Sequence, residues 1–332
     1  MSARSEWSLA APRKLTVDGP VTTLQVRIVG GTVNIVGTDT GPARLELSEI
    51  DGPPLTVTHE DGTLTVAYDD LPWEGLLRWL DGEEQNAKGW SIKDWGIKDW
   101  ARWGRDRTSW RRTAHITLAV PTGTAASVGV IGAGAVVSGL GGSTELRGVC
   151  GDFTLVGLTG AVRAHTVSGH VEAQAVTGEL RFQSVSGGLT VVDSAGPAVH
   201  ADSISGDMVL DLAPATKDTD LRLATVSGEI AVRLPHRADT RIEANTTSGD
   251  FSCAFDDLRV GGQWGAKRIT GTLGAGSGRL KATTVSGAIA LLRRPASDDG
   301  ETGAGPEGKP SGDAPEGRPF GEAVGDSEGK VL

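Results

Sequence analysis

Along most of this chain, apolar residues recur at every second position. Leu180 and Phe182, Leu189 and Val191, Met208, Leu210 and Leu212, Ile230, Val232 and Leu234, Phe251, Cys253 and Phe255, and Ile289 and Leu291 all alternate with polar neighbours. A period of two marks strands with one buried face. The intervening Glu172, Gln174, Arg181, Gln183, Asp211 and Arg233 are then expected to face water. The same alternation runs through Leu24, Val26 and Ile28, through Val33 and Ile35, through Leu45 and Leu47, and through Leu64, Val66 and Tyr68. Gly30-Gly31, Gly52-Pro53-Pro54 and Asp61-Gly62 punctuate this first part as turns, and the stretch 55–67 reads as a hairpin. Ile116, Leu118 and Val120 resume the pattern.

A short phrase separates the later strands: an apolar residue, Ser or Thr, then Gly. It stands at Leu158-Thr159-Gly160, Val167-Ser168-Gly169, Val176-Thr177-Gly178 and Val185-Ser186-Gly187, so its glycines fall nine residues apart three times running. Nine residues hold one strand and one corner. Gly206, Gly228 and Gly249 follow at steps of 19, 22 and 21 residues, Gly287 closes the series, and upstream Gly151 follows Cys150 where Ser usually stands. The pattern predicts an all-β solenoid of stacked coils of about 18 to 22 residues, in which each repeat buries its apolar face against its neighbours. Residues 18 apart should be vertical neighbours, with Cys150 under Ser168 and Ser168 over Ser186. The corner glycines are expected to supply a positive φ, and the preceding Ser or Thr to bond its own local backbone. A β-sandwich is the competing fold, but it does not account for an identical corner at a fixed step.

These features divide the chain into an irregular amino-terminal β cap (15–72), an insert (73–112), the repeat array (113–294) and a tail (295–332). Gly is abundant at 48 residues and aromatics are scarce at 5%, so the core must be aliphatic, which suits a narrow interior. The net charge of −10 is uneven: residues 296–332 carry nine acidic and three basic residues in a Gly/Pro-rich context that favours disorder. Two cysteines set no disulfide framework, and Cys253 falls in phase with a buried face. Residues 1–14 hold no apolar leader core and no stretch is long enough to span a bilayer, so the expected location is the cytoplasm.

The insert is the strongest departure from the repeat. Seven of the nine tryptophans lie between Trp73 and Trp110. Trp73, Leu76, Leu77 and Leu80 have the spacing of one amphipathic helix, with Pro72 ahead of it. A duplication follows, Trp90-Ser91-Ile92-Lys93-Asp94 and Trp95-Gly96-Ile97-Lys98-Asp99, leading into Trp100. Residues 88–112 hold eight basic and three acidic residues inside an acidic protein. Trp90, Lys93, Trp95, Lys98, Trp100, Arg102, Trp103 and Trp110 form the candidate partner surface. Three uses compete: indoles packed on the solenoid flank, contact with a protein or an anionic membrane periphery, and nucleic-acid stacking, which the acidic body disfavours.

Catalytic chemistry has little footing. There is no phosphate-binding loop, dinucleotide fingerprint, nucleophile elbow or paired-histidine zinc motif. The residue after the corner Gly is acidic at Asp152, Glu179, Asp207, Glu229 and Asp250, but Ala161, His170, Gly188 and Ala288 interrupt that series, and calcium needs six to eight oxygens. Cys150, His170 and Asp152 should come close in the 18-residue register, on a flank with no evident pocket. Neither a metal nor a cofactor is expected, and the chain is read as a non-enzyme.

The phrases Thr166-Val167-Ser168-Gly169, Ala224-Thr225-Val226-Ser227-Gly228-Glu229-Ile230 and Thr283-Thr284-Val285-Ser286-Gly287 resemble the bacterial toastrack-like "putative adhesin" family of unknown function. The resemblance covers roughly residues 15–294. It implies a β-solenoid without established catalytic residues, in a family often attached to membrane segments and linked to envelope stress. A scaffold or binding module with a protein partner is therefore the leading expectation. A structural protein that self-associates end to end or edge to edge is the alternative.

Overall fold

The computed structural model describes residues 4–71, 73, 111–213, 218–263 and 266–295. The helix expected from Trp73 to Leu80, the tryptophan cluster from Trp90 to Trp110 and the tail 296–332 lie outside the described residues, apart from Trp73 itself.

Each repeat contributes one strand to each of two sheets, of 14 and 12 strands. The coils pair Ala125–Val130 with Gly134–Ser138, Thr144–Gly148 with Phe153–Val156, Val162–Thr166 with Val171–Gln174, Leu180–Ser184 with Leu189–Ser194, Ala198–Asp202 with Met208–Leu212, and Asp220–Ala224 with Ile230–Leu234. Neighbouring coils run parallel, and through the first of them the register advances by 18 residues: Ala135 meets Phe153, Val162 meets Leu180, and Val171 meets Leu189. The fold is thus the expected all-β solenoid. The step lengthens to 19 where Asp193, at φ 52°, bulges out of its strand between Val192 and Ser194.

Both ends are interleaved. At the carboxy end, the coil made by Gly278–Thr284 and Ile289–Arg293 does not follow the coil of Thr240–Thr246 and Phe251–Cys253. It inserts between that coil and the one at 220–234, so Leu221 pairs with Leu280 and Leu280 with Ile242. At the amino end, Thr23–Ile28 and Gly30–Thr38 lie between the coil 125–138 and a coil formed by Thr63–Ala67 and Thr113–Pro121. Residues 23–38 are thus a full layer of the stack, joined to it across about a hundred residues. Only the antiparallel strands outside them close the end: Ser5–Leu9 on Leu55–Glu60, and Arg13–Thr16 on Arg44–Asp51.

The interior is filled by aliphatic side chains with compensating volumes. Phe182, fully buried, lies in register between Ala164 and Ala201, so one large ring fills the room left by two small neighbours. A hollow beside Leu212, Leu221, Leu234 and Thr240 holds only about 10 Å³, scarcely room for one water.

The corner glycines form two columns, which explains the nine-residue beat as alternate ends of one coil. Gly160 stacks on Gly142 and Gly178 on Gly160 at one corner. Gly169 stacks on Gly151, Gly187 on Gly169, Gly206 on Gly187, Gly228 on Gly206, Gly287 on Gly228 and Gly249 on Gly287 at the other. The expected reason for glycine needs correction. None of these glycines has a positive φ. What excludes a side chain is close approach: a Cβ on Gly169 would lie 1.9 Å from the Gly151 carbonyl oxygen, and one on Gly287 1.8 Å from that of Gly228.

Candidate interaction surfaces

At the second corner, from Gly169 onward, the backbone N–H of each glycine is taken by a hydroxyl three residues earlier. Gly169 donates to Thr166 Oγ1 (2.9 Å), Gly187 to Ser184 Oγ (2.7 Å), Gly206 to Ser203 Oγ (2.9 Å) and Gly228 to Thr225 Oγ1 (3.1 Å). The serine before the glycine reaches the neighbouring coil instead: Ser168 Oγ donates to the Val149 carbonyl (3.2 Å) and Ser186 Oγ to that of Val167 (3.2 Å). Cys150 fills the same role with its thiol, 3.2 Å from the Ile131 carbonyl. The recurring phrase is therefore a staple between coils, and Gly151, Gly160, Gly169, Gly178, Gly187, Gly206, Gly228, Gly249 and Gly287 are structural.

The Cys150, His170 and Asp152 group does not assemble. The His170 backbone N–H donates to Asp152 Oδ1 at 2.9 Å, but its ring turns the other way, with Nε2 3.0 Å from Thr190 Oγ1. With the thiol committed to a carbonyl, no nucleophile meets a base. Among the described residues, no group of His, Cys, Asp or Glu could hold a metal ion.

The described ends of the tryptophan insert converge. Arg112 is 6% exposed and grips Asp70 with both terminal nitrogens, each contact at 2.5 Å. Its guanidinium lies 5.1 Å from the centre of the buried Tyr68 ring. Trp73, also buried, donates its indole N–H to the Tyr68 carbonyl at 3.1 Å. The Arg112 hydrogen bonds hold the Asp70 carboxyl below the usual range. Asp70 and Arg112, which flank the segment 71–111 in the chain, thus meet in one charged clasp. The candidate residues Trp90, Lys93, Trp95, Lys98, Trp100, Arg102, Trp103 and Trp110 fall outside the described residues.

The outer faces of the two sheets differ in charge. Beside the 12-stranded sheet, Asp152, Asp207, Glu229 and Asp250 stand at the corners just before its strands, and Glu172 lies within Val171–Gln174. On the 14-stranded sheet the coils present Arg147, Arg163, Arg181, Arg222, Arg279 and Lys281, with Glu145, Asp202, Asp220 and Glu243 among them. Sequence reasoning missed this division because steps of 18, 19, 22 and 59 residues separate the stacked positions. Aligning the strands coil by coil would have revealed the first of those steps.

Residues 143–292 match the family model described as Toastrack DUF4097. This region is similar to the toastrack family. Its glycine staples run the length of the matched segment, and the interleaved coil at 278–293 lies within it. No curated protein matches the chain significantly. Among solved structures it is similar to a "putative adhesin" from Bacteroides fragilis NCTC 9343, at 14% identity over 89% of this chain and 97% of that one, with a TM-score of 0.42. A "putative cell adhesion protein" from Clostridium sporogenes ATCC 15579 shares 11% identity over 89% and 100% of the two chains, with a TM-score of 0.20. A "putative lipid binding protein" from Parabacteroides distasonis ATCC 8503 shares 11% over 87% and 98%, with a TM-score of 0.29.

Proposed function

We propose that the chain is a non-enzymatic scaffold whose toastrack stack presents the segment 73–111 to a protein partner. The observation that supports this most directly is the clasp between Asp70 and Arg112. It joins the two residues that flank the segment, so that changes within the segment need not disturb the stack. The chemistry-bearing side chains of the described coils lie in outward ladders, and the interior is apolar and filled, an arrangement suited to surface recognition. The concentration of Trp, Lys and Arg in the insert is the composition of an interface hot spot.

The test is deletion of residues 83–109 with Asp70, Trp73 and Arg112 retained. The variant is expected to keep the thermal unfolding midpoint of the full chain and to lose capture of its partner in a pull-down from the native host. An unchanged set of captured proteins would overturn the reading.

A further inference from the structure

The outer face of the 14-stranded sheet carries a continuous column of basic residues. The register sets Arg163 beside Arg181, Arg181 beside His200, His200 beside Arg222, and Arg222 beside Lys281. Strands lie about 4.8 Å apart, so the five positions extend over roughly 19 Å in a straight line. Arg279 stands on the same strand as Lys281, two residues away and on the same face. Arg163, Arg181, Arg222, Arg279 and Lys281 are exposed.

Like charges directly opposite one another across a sheet destabilise it, and this ladder repeats that arrangement layer after layer. Nearby acids compensate only in part. Glu179 takes Arg181 at 2.8 Å, Asp220 takes Arg222 at 2.7 Å and lies 3.7 Å from His200, and Glu145 is held by Arg147 at 2.7 Å. Arg163, Arg279 and Lys281 have no ion-pair partner among the described residues. Glu145, Glu179, Asp202, Asp220 and Glu243 stand on or beside this face, but basic residues outnumber them between Thr144 and Thr284, so an approaching anion is drawn to the column.

We infer that this ladder binds a linear acidic polysaccharide laid across the strands, each carboxylate meeting one basic layer. The column is one residue wide and straight, flanked two residues earlier by Ala161, Glu179, Ala198 and Asp220, of which the two acids are paired to Arg181 and Arg222, and this suits a single extended chain. A layer spacing close to the length of one sugar unit lets successive uronate carboxylates meet successive guanidinium forks. Among the described residues from 144 to 284, this face presents no Phe, Tyr or Trp on which bases could stack, and no exposed Leu, Ile or Phe to enter a bilayer. The inference extends the binding-module reading to a second surface.

Polygalacturonate is the probe, titrated into the full chain by calorimetry at low salt. Binding is expected, weakening as salt rises. The triple variant Arg163→Gln, Arg222→Gln, Lys281→Gln is expected to lose about tenfold or more in affinity. Changing Arg13→Gln with Lys14→Gln, on the other sheet, should leave it unaltered. Unfolding midpoints of all variants establish that they are folded. Absence of binding, equal binding by the triple variant, or tighter binding to phosphatidylserine vesicles or single-stranded DNA would each overturn the inference. The insert deletion lacks none of the ladder residues, so this proposal and the protein-partner reading can fail separately.

Discussion

At the scale of single residues, the Val-Ser-Gly phrase is explained by clearance and hydrogen bonding. Gly169→Ala would push a methyl group to 1.9 Å from a backbone carbonyl in the next coil, where no rotamer can relieve it. The expected loss is about 3 kcal/mol in urea unfolding. Gly123→Ala, with nothing within 4 Å of the added carbon, is the matched control and should be close to neutral. The hydroxyl column predicts a second effect. Thr225→Val keeps the shape but strands the buried Gly228 N–H, at a cost of about 1 to 3 kcal/mol by the same measurement. Cys150→Ser restores the residue type used elsewhere in its column, and its melting temperature should be unchanged or slightly raised.

At the scale of elements, the strands were legible in the sequence because alternation is a local signal and burial enforces it. Leu180, Phe182, Leu189 and Val191 all point inward as their period requires. The 18-residue step was legible too, and Ser168 does staple the layer of Cys150. Three things were hidden. The reason for glycine was assigned to φ, since sequence carries no record of how closely two coils approach. The coil 278–293 carries the same corner phrase wherever it sits, so nothing local reveals that it slots between layers at 220–234 and 240–253. The basic ladder depends on that same pairing, because Arg222 and Lys281 are neighbours only through it.

One side-chain cluster secures the interleaved end. Asp211 lies 2.8 Å from Arg233 Nε and 2.8 Å from Arg294 Nη2, and it also contacts Arg233 Nη2. Arg294 is itself buried and donates its backbone N–H to the Leu234 carbonyl at 2.9 Å. Burial alone would raise the Asp211 pKa, but the hydrogen bonds and charges of the two arginines outweigh it and hold the carboxyl below its ordinary value. A depressed folded value means that the stabilisation is complete above the unfolded carboxylate pKa, about 3.9, and is lost as pH falls through the folded value. Asp211→Asn should therefore be clearly less stable than the parent at pH 7. The gap should narrow as pH falls below about 4 in urea titrations, and a gap independent of pH would sink this account.

At the scale of the whole repeat unit, the two interleaved ends change how the stack is held. In a plain solenoid each terminal coil touches one neighbour and can fray by itself. Here, among the described strands, those of the outer coil at 240–253 pair with the stack through the coil 278–293. The far edges are also blunted: Phe251–Cys253 is three residues long, and the hairpin of Arg259–Gln263 and Ala266–Leu273 covers the other sheet. Truncation then has a sharply position-dependent effect. A chain ending at Pro295 keeps every described strand and should unfold with the parent's midpoint and cooperativity. A chain ending at Gly274 loses only the strands 278–284 and 289–293, yet it uncovers the layer at 220–234 and leaves 240–253 and its hairpin without their attachment. Hydrogen exchange should show rapid labelling across 240–273 as well as exposure of the edge at 220–234, while the coils between 144 and 194 keep their protection. If 240–273 stayed protected in that shorter chain, the outer coil would have to pair directly with the layer at 220–234, and the interleaved order would not be what holds this end together.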